Sequence, residues 1–190
     1  MSNSIDDRHL ESILQQYSVS FNAKKFIEES LEEDDLMLVF GLTQEIKDLN
    51  KQYWGRELGK CWERLIIEVG RQSCIDFSPA IRDGKDELCD LVIGTDAIDA
   101  KYRIGSGDSG TLKKFKQYAE RLTNRGYKPV LLILRTDSLP QAINACIVGG
   151  WRVLSGQDAF DYLSEITNFD LQAWLKARRG LYSRSINQQQ

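Results

Sequence analysis

Histidine is nearly absent from this chain. The single one among 190 residues, His9, lies in a polar N-terminal segment. Histidine-ligated metalloproteases and twin-histidine phosphodiesterases are therefore excluded. A Ser/Cys-His triad would rest on His9 alone, close to a chain end, where order is poorest. Chemistry falls instead to carboxylates and lysines. Long hydrophobic runs are missing too. The longest aliphatic stretch is Val130 to Leu134, far short of the roughly 20 residues that a membrane helix needs. No charged-then-apolar leader opens the chain. The four cysteines, at 61, 74, 89 and 146, show no paired spacing. They read as reduced thiols rather than as a zinc site or disulfide frame. The expectation is a cytoplasmic protein that does not engage a membrane.

Neither sign of charge dominates: 25 basic and 28 acidic residues give a net charge of −3. That excludes a uniformly basic binder. The distribution is nevertheless uneven, because residues 1–35 carry nine acids against Arg8, Lys24 and Lys25, while no acid follows Asp170. With 42% hydrophobic residues, the chain has enough apolar matter for one core. The pattern divides it into a helical N-terminal arm, 1–55, and a body, 56–190.

In the arm, Ile5 to Tyr17 and Phe21 to Leu31 place apolar residues at helical spacing, and the acidic cluster 32–35 is expected to close the second helix. Thr43 is a good N-cap for a third. Leu58, Cys61, Trp62, Leu65, Ile66 and Val69 then define a strongly amphipathic helix. Strands follow: Cys74 to Phe77, then Leu88 to Ile93 and Ala97 to Ile104, the last two joined by a Gly94-Thr95-Asp96 hairpin signal. A glycine-rich loop, 105–110, leads into a helix from Thr111 to about Asn124. Strands at Pro129 to Arg135 and Trp151 to Leu154 alternate with helices at Leu139 to Cys146, Asp158 to Ile166 and Leu171 to Arg179. The fold class is a mixed α/β sheet with a central antiparallel hairpin flanked by helices.

By the period-two rule, Asp99 and Lys101 share one strand face. Two- or four-residue hairpin loops both put Asp90 on that face as well, whereas an odd-length loop without a bulge would break this. Two carboxylates and an ammonium then converge on one patch. This suits a hard cation such as Mg²⁺, which takes carboxylate oxygens and completes its shell with waters and phosphate. Such an ion makes water more acidic and offsets charge developing on phosphorus, and Lys101 would orient the attacking water. The bland alternative is a cross-strand Asp–Lys pair on a solvated hairpin.

Asp90, an eight-residue gap and Asp99-Ala100-Lys101 resemble the PD-(D/E)xK nuclease signature, and the resemblance covers roughly Arg56 to Arg135 in αβββαβ order. It departs at the first letter, where Cys89 stands in place of proline. Members often carry a glutamate on the helix before the first core strand. Here that element resembles Gly59 to Ile66, so Glu63 would support a metal, with Glu68 a weaker candidate. The resemblance implies a restriction-endonuclease-like core. It also implies a Mg²⁺-dependent, sequence-specific cleavage of double-stranded DNA to 5′-phosphate and 3′-hydroxyl ends, by a type II restriction enzyme acting as a homodimer. The arm would serve dimerisation or DNA embrace. A repair or junction-resolving nuclease, and a non-catalytic DNA- or protein-binding module, are the rival readings.

Four further features each have a functional and a structural reading. Gly105-x-Gly107-x-x-Gly110 has the form of a dinucleotide fingerprint. The strand before it alternates charged and apolar residues, unlike a first Rossmann strand, so that reading is set aside. The helix after it turns Lys113, Lys114, Lys116, Gln117 and Arg121 outward, a phosphate-backbone surface or an ordinary solvated face. Lys176, Arg178, Arg179 and Arg184 would either clamp a duplex or favour a helix C-terminus. Trp54, Trp62 and Trp151 read as core or interface.

Overall fold

A computed structural model describes residues 30–105 and 109–183, with isolated positions 11, 14–16 and 18 before them. His9, Arg184, the centre of the glycine loop, and most of the expected helices over 5–17 and 21–31 lie outside the described residues.

The first described helix begins where the sequence suggests an end. Asp34 does not close a helix; its side chain accepts from the backbone N–H groups of Leu36 and Met37 at 3.1 and 3.0 Å and starts α1 (Asp35–Val39). An aspartate suits a helix start because it satisfies unpaired amides and complements the helix dipole. Thr43 caps α2 (Gln44–Leu49) as its sequence position predicts. Asn50 caps the long α3 (Lys51–Ser73), in which Leu58, Trp62, Ile66 and Gly70 recur every four residues as the buried stripe. The expected boundary after residue 55 falls inside this continuous helix. Leu36, Met37 and Leu42 lie in the same core as the sheet, so residues 36–55 pack as part of the body.

After α3 come β1 (Phe77–Pro79), a small hairpin of β2 (Arg82–Asp83) and β3 (Asp86–Glu87), and the strands β4 (Leu91–Ile93) and β5 (Asp96–Lys101). Next are α4 (Ser109–Asn124), β6 (Lys128–Ile133), α5 (Pro140–Val148), β7 (Arg152–Ser155), α6 (Gln157–Thr167) and α7 (Leu171–Lys176). The first strand sits two to three residues later than its expected place and includes Pro79, tolerated because β1 is an edge strand. The β2–β3 pair is too short and too charged for its strands to show in the sequence; only its Asp83-Gly84 turn does.

Five strands form one mixed sheet in the order β1-β4-β5-β6-β7. β4 is antiparallel to β1 and β5, whereas β5, β6 and β7 run parallel. One face packs Leu91, Ile98, Val130 and Leu132 against α1, α3, α6 and α7. The other packs Val92, Ala97, Leu131 and Ile133 against α4 and α5. Trp62 and Trp151 are buried in these two cores, as expected of them. Gly70 lets the sheet approach α3: a Cβ there would stand 3.1 Å from Leu91 and 3.2 Å from Ile93.

Among the described residues no helix is long and apolar enough to cross a membrane. All four cysteines are free. Burial pushes the thiols of Cys89 and Cys146 up to about 11, which leaves both unreactive near neutral pH.

Candidate active site

The β4–β5 hairpin decides which side chains meet. Ile93 pairs with Asp96, Val92 with Ala97 and Leu91 with Ile98, leaving a two-residue turn, Gly94-Thr95. Gly94 adopts φ +58°, the left-handed backbone such a turn requires and glycine supplies without strain. One step beyond the paired residues Asp90 faces Asp99, and its N–H donates to the Ile98 carbonyl at 2.9 Å. Asp99 and Lys101 alternate with Ile98 and Ala100, so they project on the side of α4.

The Lys101 ammonium donates to Asp99 Oδ1 at 2.7 Å and to the Ala100 carbonyl at 3.2 Å. Asp90 Oδ2 accepts the Ala100 N–H at 2.6 Å. Asp90, Asp99 and Lys101 share a cleft of about 240 Å³ with Glu87 from the small hairpin and with Thr111, Lys114, Phe115 and Tyr118 from α4. The four α4 residues recur at i, i+3, i+4 and i+7, one stripe of a helix.

The electrostatics of the cleft follow from burial and crowding. Burial first, and then the nearby Asp99 charge, push the Asp90 carboxyl up to about 8. Burial opposes the charge on Lys101, yet Asp99 and Asp90, with a smaller contribution from Glu63, outweigh it and raise the ammonium above its usual value. Two carboxylates thus share one ammonium, and Asp90 is raised by burial first and by the neighbouring Asp99 charge second, so the cleft has room for a further positive charge. A hard divalent cation would supply it. The donor set fits Mg²⁺, which is commonly held through one or two carboxylates while waters and phosphate oxygens complete its shell. Asp90 and Asp99 would be its protein ligands. Among the described residues no group of three or more His, Cys, Asp or Glu side chains is gathered closely enough to hold a metal.

Glu63 is not brought together with the pair. It stands on α3, which packs on the other face of the sheet, and bears on the cleft through its charge on Lys101. Glu68 is further removed: exposed, it pairs with Arg71 and Gln72, and these hydrogen bonds hold its carboxyl below the usual range.

Along α4, Phe115, Ala119 and Leu122 are buried as expected and Lys113, Lys114, Lys116 and Gln117 are exposed. Of the five residues expected to meet phosphates, Lys114 lines the cleft. Gln117 is not among the lining residues, and Arg121 is held by Asp86 and Asp83 at 3.2 and 3.6 Å. At the C-terminus Arg178 donates to the Trp174 carbonyl and stacks on its ring, while Arg179 pairs with Asp35 at 2.9 Å. These contacts favour the helix-terminal reading of that cationic run.

Sequence reasoning missed Glu87, Thr111, Phe115 and Tyr118. The i, i+3, i+4, i+7 spacing on α4 was available as a signal. No feature of the sequence shows that β2–β3 folds back to bring Glu87 alongside. Comparison of the chain with protein families, with curated proteins and with solved structures finds no match.

Proposed function

We propose that the protein is a metal-dependent phosphodiester hydrolase acting on double-stranded DNA, with a restriction-endonuclease-like core. The observation that carries this reading is the meeting of Asp90, Asp99 and Lys101 in one cleft, produced by the two-residue hairpin turn. The succession α3, β1, β4, β5, α4, β6 supports it, being the αβββαβ order that the resemblance implies, with β2–β3 inserted.

Asp90 and Asp99 would hold Mg²⁺, which when bound acidifies water and offsets charge on the phosphoryl oxygens. Asp99 fixes the Lys101 ammonium through the 2.7 Å bond, and Lys101 presents its remaining protons to the attacking water. Lys114, lining the same cleft without an ion pair among the described residues, contacts a phosphate oxygen of the bound strand. The leaving group is the 3′ oxygen, so the ends are 5′-phosphate and 3′-hydroxyl. Within this reading the enzyme is a cytoplasmic type II restriction endonuclease, a homodimer on a palindromic site, since a two-fold protein matches two-fold DNA.

The test is cleavage of a long sequenced duplex with Mg²⁺ and with EDTA, followed by mapping of the ends. Mg²⁺-dependent fragments sharing one short sequence are the expected result. Asp99→Ala is expected to abolish cutting while leaving the fold intact, and an undiminished Asp99→Ala protein would remove the site assignment.

A further inference from the structure

The side of α4 that begins in the cleft continues beyond it. Lys114, Tyr118 and Arg121 follow one another at steps of four and three residues and so lie along one side of the helix, and Arg125 stands in the turn that directly follows its last residue. The three helical residues span about 10 Å of its axis at 1.5 Å per residue. The Lys114 end opens into the cleft. The other end is covered by the β2–β3 hairpin. Asp86 accepts from the Tyr118 hydroxyl at 3.0 Å and pairs with Arg121 at 3.2 Å, while Asp83 lies 3.1 Å from Arg125 and 3.6 Å from Arg121.

The base of the hairpin is anchored by Leu88, buried in the core with Ile81 against it, and by the Leu88 N–H donating to the Ile81 carbonyl at 2.8 Å; beyond that base the cover is held by charge. β2 and β3 contain no buried residue, and the paired side chains of Asp83, Asp86, Arg121 and Arg125 are 40 to 44% exposed. Water and salt screen each pair, so none contributes much. Two carboxylates therefore occupy positions at which phosphates would meet the same guanidinium groups, and arginine recognises either anion by the same forked geometry.

Building on the nucleic-acid reading above, we infer that this side of α4 is a track for a phosphodiester backbone, and that the β2–β3 hairpin is an acidic cover which the backbone displaces. Lys114 receives the phosphate next to the cleft. Arg121 and Arg125 receive those further along the strand once Asp83 and Asp86 have given way. The cover offsets the two arginine charges when no nucleic acid is present, leaving Lys114 as the track's free cation among the described residues, and raises the charge density an incoming polyanion must carry to open it.

The experiment measures binding of a fluorescent short duplex in EDTA, across a series of salt concentrations, for four proteins. These are the wild type, Asp83→Asn/Asp86→Asn, the same pair combined with Arg121→Gln/Arg125→Gln, and a charge-matched control, Asp158→Asn/Asp161→Asn. The control removes two exposed acids from α6, on the other face of the sheet. Uncovering the arginines is expected to tighten binding several-fold more than the control does. It should also steepen the slope of log K against log salt by up to about 1.8, the value for two more neutralised phosphates. Adding the arginine substitutions should cancel both effects. An equal gain in the control, or no gain or a loss in Asp83→Asn/Asp86→Asn, overturns the inference. Cleavage by the wild type with Mg²⁺ keeps the two readings apart. If the wild type cuts but uncovering does not tighten binding, the cover fails and the nuclease stands. If uncovering tightens binding but the wild type cuts nothing, the nuclease reading fails and the track stands. Absence of binding by every protein overturns the inference, and absence of cleavage by the wild type as well overturns both.

Discussion

Asp90 carries the most specific expectation among the residues. Its folded pKa, raised to about 8 by burial and then by Asp99, lies above that of the unfolded chain. The stability linked to its proton is therefore complete below about pH 4 and is lost as the pH rises through about 8. The charged groups facing it are Asp99 and Lys101, with Glu63 acting on Lys101 from the other face. Asp90→Asn keeps an oxygen for the Ala100 N–H but cannot ionise. Its stability relative to the wild type should rise steadily between about pH 4 and about pH 8, as measured by chemical denaturation. A difference that does not change with pH would contradict the assignment. Lys101→Gln removes the group that presents protons to water while leaving Asp90 and Asp99 in place. It should lower kcat by about 10²- to 10⁴-fold with little effect on DNA binding. A matching loss of affinity would instead make Lys101 a binding residue. The trio itself was readable from period-two alternation for a turn of even length. Glu63 was not placed by its sequence, because helical periodicity says which residues share a face and nothing about which side of the sheet the helix covers.

The hairpin that assembles the trio is the element on which the site depends. A Cβ at Gly94 would meet the Asp76 carboxylate at 2.8 Å, and φ there is +58°. Gly94→Val should destabilise the protein by about 1–3 kcal/mol and reduce cleavage further than stability alone accounts for. Inserting one residue in the turn should be harsher, because a one-step slip turns Asp99 and Lys101 to the other face of the sheet. Retained cleavage by the insertion variant would refute the register argument. α3, α4 and β5 were legible because unequal burial of their faces imposes a period, and β6 because burial of both its faces leaves an unbroken apolar run. α1 and β2–β3 were not legible. α1 is only five residues long and is started by the side-chain cap at Asp34, while β2–β3 is short and charged and is held over α4 by contacts to Tyr118, Arg121 and Arg125.

The whole molecule is tied together at the end of the sheet away from the Gly94 turn. Arg135, whose side chain is 4% exposed, makes a bidentate pair with Asp137 at 2.9 Å and reaches Asp34 and the carbonyls of Ser30 and Glu32. Tyr102 donates to Asp34 and accepts from the buried Lys47. The segment entering α1 is thereby fastened to β5 and to the end of β6, which joins what the sequence reads as an arm to the body. No local pattern announces this knot, since its members lie up to about 100 residues apart and meet only in the fold. Removing the guanidinium would leave Asp34 without its arginine and Asp137 with Arg103 alone, at 3.4 Å, in a dry place. Arg135→Ala should therefore lower global stability by about 3–5 kcal/mol, seen as a reduced denaturant midpoint. A change of less than about 1 kcal/mol would mean that water reaches the cluster.

The central claim is that two aspartates and a lysine, brought together by a two-residue turn, cut DNA with the help of a divalent cation. Incubating the wild type and Asp99→Ala with a long sequenced duplex, each with Mg²⁺ and with EDTA, tests it most directly. Discrete fragments from the wild type in Mg²⁺ alone, with 5′-phosphate and 3′-hydroxyl ends, are predicted. Intact DNA in every lane, or equal cutting by Asp99→Ala, would contradict the claim.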